Sequence, residues 1–111
     1  MLDMNEDIGL FARQELEAVR LKKAELLRKE VEKAIVEVMS TRQGRKVLAW
    51  VLAQTGYKNS VSFRDPMAMA LASGKRDVGL TISEAIEKLC PQSYWQMQEE
   101  EKAWMNQFKN L

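Results

Sequence analysis

The fold is decided by one long stretch near the N-terminus, residues 6–39, which has the sequence EDIGLFARQELEAVRLKKAELLRKEVEKAIVEVM. This stretch contains no proline and a single glycine, Gly9, so it predicts one continuous helix. Oppositely charged side chains four residues apart, such as Glu25 and Lys29, support that helix. The alternative is a break near Gly9 or at Lys22–Lys23, after which the chain folds back.

The predicted length of this helix has a consequence for its surface. A helix of 34 residues is roughly 50 Å long, whereas a compact globule of this chain length is about 35 Å across. The rest of the chain cannot cover such a helix, so we expect its N-terminal half to project and to expose apolar side chains that a partner covers. The candidate protein-binding residues are Ile8, Leu10, Phe11, Leu16 and Val19.

The apolar residues of this helix recur at a spacing of eleven. Leu16, Leu27 and Val38 are eleven residues apart, and so are Ile8 and Val19. Spacing of this kind favours helices that pack nearly straight, or with a slight right-handed twist, over a heptad coiled coil.

Three shorter helices are predicted after the long one. One covers residues 42–55 and ends at Gly56, one covers 66–89 and begins after the capping Asp65, and the last begins at Pro91. With five glycines and two prolines in 111 residues, the composition favours helices over a turn-rich β fold. We therefore predict an all-α fold: a long N-terminal helix, residues 1–40, and a compact bundle of three shorter helices, residues 41–111.

The apolar residues of the shorter helices predict their packing. Val47, Trp50 and Val51 make the 42–55 helix apolar around most of its circumference, which predicts a central core helix. Gly74 and Gly79 lie inside the 66–89 helix, where glycine suits the close approach of another backbone or a kink. The 66–89 helix has an apolar stripe of Met67, Leu71, Val78, Ile82, Ala85, Ile86 and Leu89, and the last helix carries Tyr94, Met97, Trp104, Met105 and Phe108 on one side.

The charge of the chain is unevenly distributed. The net charge is only +1, but residues 41–80 hold seven basic and two acidic side chains. If the second and third helices pack together, the basic clusters could share one face and contact phosphate or an acidic partner; a solvated face is the ordinary alternative. The candidates for binding an acidic partner or nucleic acid are Arg42, Arg45, Lys46, Lys75 and Arg76.

The composition argues against catalysis and metal binding. There is no histidine, the commonest general base and metal ligand, and the one cysteine, Cys90, is expected to be packed rather than reactive. We expect no catalytic residue, no metal site and no cofactor. No apolar run approaches the roughly 18 residues of a membrane span, so no membrane partner is expected.

Three pieces of the sequence are distinctive: Gly44-Arg45-Lys46-Val47-Leu48, Gly74-Lys75-Arg76-Asp77-Val78-Gly79-Leu80 and Pro91-Gln92-Ser93-Tyr94. With these pieces, residues 44–104 resemble a family of small proteins that short-tailed bacteriophages encode, usually among their head and tail genes. The resemblance implies a protein associated with the virion, assembled in the cytoplasm of the bacterial host. It supplies no catalytic residues.

The resemblance and the predicted helix together give a hypothesis. The protein would be a non-enzymatic virion or assembly protein, attached through its long helix to copies of itself or to a larger portal, core, capsid or tail protein. The alternative is a small phage protein that binds DNA or regulates the host through the basic zone of residues 42–76.

Overall fold

The structure, a computed structural model, describes residues 4–59 and 65–109 of the chain. Within these ranges it contains four α-helices and no strand: α1 (Met4–Met39), α2 (Arg42–Thr55), α3 (Pro66–Leu89) and α4 (Pro91–Gln107). The all-α prediction is confirmed, including the order of one long helix and three shorter ones. The predicted bounds of α2 and α3 and the first residue of α4 are also correct.

Local sequence signals fix the ends of these helices. The Thr41 hydroxyl accepts a hydrogen bond from the Gly44 amide at 3.0 Å, which caps the start of α2. Gly56 closes α2 with a φ of 63°, a left-handed conformation that glycine adopts without steric cost. The Asp65 side chain caps α3, and Pro66 occupies its first turn.

The long helix α1 is continuous from Met4 to Met39. The alternative of a break near Gly9 or Lys22–Lys23 is therefore wrong. Although α1 has 36 residues, neither it nor any other helix in the described ranges is long and apolar enough to cross a membrane.

The chain divides into two compact units, which we call unit 1 (Met1–Lys33) and unit 2 (Ala34–Leu111). Unit 2 contains the end of α1 together with α2, α3 and α4, and each of these three helices contacts the other two. Whether residues 1–40 and 41–111 form separate domains stays a prediction.

Unit 2 has a small apolar core to which every helix contributes. Half-buried side chains, among them Ile35, Leu48 and Ile82, pack around this core. Because so few side chains are fully buried, each one accounts for a large part of the bundle's stability. In the described part of unit 2, the buried apolar residues are Met39, Ala49, Leu52, Ile86 and Met97.

The predicted packing of α2 is half right. The helix does contact both α3 and α4, but Val47 is 57% exposed and Trp50 is 59% exposed. The residues that α2 buries are Arg45, Ala49 and Leu52. Since the neighbouring helices cover only one side of α2, the apolar side chains on its outer side stay in solvent.

The predicted stripe of α3 is also partly wrong. Ile86 is buried as expected, but Met67 is 80% exposed, and Leu71 and Val78 are also exposed. The buried side of α3 instead includes Gly79 and Ser83. Small residues such as Gly79 and Ser83 let this side of α3 approach its neighbours closely, while Ile86 on the same side fills the core.

Candidate protein-binding surface

Unit 1 presents the candidate contact residues of α1 to solvent. Their side chains are between 50% and 70% exposed. From Ile8 to Lys33, every residue except the half-buried Glu32 is exposed. A single helix cannot form a core of its own, so these side chains gain burial only from another surface. The five candidates are Ile8, Leu10, Phe11, Leu16 and Val19; that they bind a partner stays a prediction.

The apolar side chains of unit 1 do not lie on one side of the helix. Ile8, Leu16 and Val19 fall on one side at 100° per residue, whereas Leu10 and Leu21 fall on the opposite side. One partner helix would cover only the first side. Complete coverage of unit 1 requires contacts on more than one face.

Arg45, one of the basic candidates, is not a surface residue. It is only 7% exposed, and its guanidinium donates to the Glu100 carboxylate of α4 and to the Met39 carbonyl of α1. The prediction that Arg45 faces a partner or nucleic acid is therefore corrected: its charge is satisfied inside the bundle. The hydrogen bonds from Arg45 hold the pKa of the Glu100 carboxyl below its ordinary value of 4.5.

Arg42 and Lys46 lie at the start of α2 beside α4, and both are exposed. The Lys46 ammonium is 5.2 Å from the centre of the Trp104 ring, a cation–π contact. Arg42, Lys46 and Trp104 border a cleft of about 40 Å³, together with the acidic Glu100 and Glu101. This cleft has both signs of charge and room for little more than water, so it does not itself enclose a phosphate group.

Lys75 and Arg76 lie on α3, near the other end of α2. Arg76 is half-buried and its Nε donates to the Asn59 carbonyl at 3.2 Å, just beyond the C-terminal end of α2, whereas Lys75 is exposed. The length of α2, about 20 Å for 14 residues, separates this pair from Arg42. Whether the two basic clusters share one face stays a prediction.

A polar cluster that was not predicted from the sequence lies inside the bundle. The hydroxyls of Ser83 and Tyr94 are 3.1 Å apart, and burial, reinforced by the neighbouring Tyr94, raises the pKa of the Tyr57 hydroxyl. A β-carbon on Gly79 would collide with the side chains of Thr55 and Tyr57. Only the glycine gave a signal in the sequence. The close approach at Gly79 is to the side chains of Thr55 and Tyr57 rather than to the predicted backbone.

Cys90 is half-buried at the junction of α3 and α4, and burial raises the pKa of its thiol. A raised pKa favours the protonated, weakly nucleophilic form. Over the described ranges, no group of three histidine, cysteine, aspartate or glutamate side chains is placed to hold a metal ion.

The distinctive pieces of the sequence mainly build the bundle. Gly44 allows the tight corner between α1 and α2, because a β-carbon there would collide with the Val38 carbonyl. Arg45 joins α2 to α4, Gly79 lets α3 approach the end of α2, and Tyr94 contacts α3 through Ser83. Each of the three distinctive pieces therefore contributes a residue that allows or makes a contact between helices of unit 2.

The fold thus defines a small all-α protein in which a long helix leads into a bundle of three shorter ones. The chain belongs to the Bbp19-like phage protein family, whose model matches residues 35–99. This match lies entirely within unit 2 and leaves unit 1 outside it. The chain matches no curated protein and no solved structure.

Proposed function

We propose that the protein is a non-enzymatic phage assembly or virion-associated protein that attaches through unit 1 to copies of itself or to a larger head, portal, core or tail protein. Unit 2, the helical bundle, contains the residues that the family model matches. Unit 1 supplies the attachment. The observation that carries the proposal is the set of large apolar side chains that α1 exposes between Ile8 and Val19.

The energetics favour a role for this surface in binding. Full burial of one large apolar side chain contributes about 1.5–3 kcal/mol. Burial of several such side chains therefore contributes enough to offset the several kcal/mol that association loses in translational and rotational freedom. Monomeric proteins rarely expose large contiguous apolar patches, and Ile8, Leu16 and Val19 lie together on one exposed side of α1.

The basic residues give weaker support to DNA binding. Arg45 is paired with Glu100 inside the fold, and the exposed Arg42 and Lys46 are separated from Lys75 by about the 20 Å length of α2. Salt-dependent binding of DNA that is lost on Lys75→Glu and Arg76→Glu would nevertheless favour the alternative of a DNA-associated or host-regulating phage protein.

Mass spectrometry of purified phage particles tests the proposal. We expect the chain in the particles at a fixed copy number. We also expect Leu16→Asp to release it, because the new carboxylate would be buried against the partner. Gln14→Asp is the matched control, since it adds the same charge to an exposed polar position of the same helix. Absence of the chain both from finished particles and from their assembly intermediates overturns the proposal.

A further inference from the structure

Unit 1 is electrically asymmetric along its length. Residues 1–19 carry five acidic and one basic side chain, a net charge of −4, whereas residues 20–33 carry six basic and three acidic side chains, a net charge of +3. The change of sign falls between Val19 and Arg20, near the middle of the unit. A helix with this pattern is complementary to a second copy that runs in the opposite direction.

Pairs within α1 neutralise only part of this charge. Glu17 pairs with Arg20, Glu25 with Lys29, and Arg28 with Glu32. In the part of the chain that the structure describes, Glu15, Lys22 and Lys23 form no ion pair, and all three are exposed. Their charges remain available for another molecule.

These three charged residues lie on, or directly beside, one side of α1. Residues spaced by four, four and three positions along α1 form a stripe on its surface. This stripe shifts around the helix axis by only about 20° every eleven residues. Glu15 and Lys22, seven residues apart, both lie along the same flank of this stripe. The stripe consists of Ile8, Ala12, Leu16, Val19, Lys23 and Leu27.

We propose that unit 1 pairs with unit 1 of a second copy of the chain as an antiparallel two-helix interface. This inference rests on the proposed function and selects, among its possible partners, the chain itself. The interface has twofold symmetry, so every contact occurs twice. Leu16 of each copy packs against Val19 of the other, and Ile8 packs against Leu27.

The antiparallel direction follows from the charges. In a twofold antiparallel pair the same flanks of the two helices face each other, which brings Glu15 of each copy opposite Lys22 of the other. Lys23 lies over the small Ala12, where its alkyl chain covers apolar surface and its ammonium extends toward acidic neighbours. A parallel pair in register would instead place Lys23 beside Lys23 of the partner, which is repulsive, and would leave Lys22 without Glu15 opposite it.

Sedimentation of the intact protein at micromolar concentrations, at low and high salt, tests the pairing. We expect a dimer whose dissociation constant increases with salt, because exposed charge pairs are screened. Lys22→Glu should weaken the dimer roughly tenfold, since it turns two attractive contacts into two repulsive ones. Adding Glu15→Lys to that variant should restore most of the affinity. Lys88→Glu, on an exposed position of α3, is the matched control and should have no such effect.

Disulfide formation tests the direction of the helices. In a Cys90→Ala background, a mixture of the Ala12→Cys and Lys23→Cys proteins should form a mixed disulfide, because the two positions lie opposite each other in the antiparallel pair. Two copies of position 12 would be separated by eleven residues along the axis, about 16 Å, beyond the roughly 7 Å limit for a disulfide. A link between two Ala12→Cys chains, or the absence of any link, overturns the arrangement.

The outcomes separate this inference from the proposed function. A protein that is present in particles but sediments as a monomer overturns the antiparallel pair and leaves attachment to a larger phage protein in place. A salt-sensitive dimer that is absent from particles supports the pair and overturns the virion role.

Discussion

Arg45 and Glu100 join α2 to α4 through a two-pronged ion pair. The Nη2 of Arg45 lies 2.9 Å from one carboxylate oxygen of Glu100, and its Nε lies 3.1 Å from the other. The Nη1 of the same side chain donates to the Met39 carbonyl at the end of α1, at 3.0 Å. One planar guanidinium therefore connects three helices in a geometry that the point charge of a lysine cannot reproduce.

Removal of this guanidinium should destabilise unit 2. Arg45→Met keeps most of the buried hydrocarbon but leaves Glu100 and the Met39 carbonyl without their donor. We expect a loss of about 2–3 kcal/mol in the free energy of unfolding, below the range for fully buried pairs because Glu100 is partly exposed. Urea denaturation measures the loss, with Arg42→Met as the control. A change below about 0.5 kcal/mol would show that the pair contributes little.

The same pair should make stability depend on pH. Because the pKa of Glu100 is lower in the folded protein than its ordinary value, the contribution of the carboxylate is fully present above about pH 4.5 and is lost as the pH falls through the folded value. Glu100→Gln should therefore be less stable than the unmodified protein at about pH 7. The difference in their free energies of unfolding should shrink as the pH is lowered. Denaturation at several pH values measures the difference, and the exposed Glu87→Gln should show almost none. A difference that stays constant with pH would contradict this account.

The helices could be predicted from the sequence because their signals are local. The capping by Thr41 and the left-handed Gly56 depend on neighbours within a few residues, so the bounds of α2 were predictable. The fate of Arg45 was not, because its partner is 55 residues away along the chain. In a list of charges it cannot be distinguished from Lys46, which stays exposed.

The packed faces were harder to predict for a related reason. In a bundle with so few buried residues, most apolar side chains stay at the surface, and hydrophobicity alone does not identify those that are covered. Met39 is completely buried while Trp50 is mostly exposed, although tryptophan is the larger apolar residue. Covered positions depend on which helices meet, and that is long-range information.

Unit 2 should fold without unit 1. Among the residues whose burial the structure describes, all five buried apolar ones, from Met39 to Met97, lie in residues 34–111. A fragment of residues 34–111 should therefore keep its helical circular dichroism and unfold cooperatively, with a free energy of unfolding within about 1 kcal/mol of the intact protein. A fragment without a cooperative transition would show that unit 1 contributes to the core.

The two glycines inside α3 should respond in opposite ways to the same substitution. Gly74→Ala should stabilise the protein by up to about 1 kcal/mol, because alanine is the better helix former and its β-carbon has no neighbour within 4 Å. Gly79→Ala gains the same helix propensity, but its β-carbon would come within 2.7 Å of the β-carbons of Thr55 and Tyr57. Relief of that overlap requires α3 to move away from the end of α2, at a cost of about 1–3 kcal/mol. We therefore expect Gly79→Ala to be destabilising overall, and thermal or urea denaturation of the two variants side by side measures both signs. If Gly79→Ala were as stable as Gly74→Ala, close packing of α3 against α2 at this position would be ruled out.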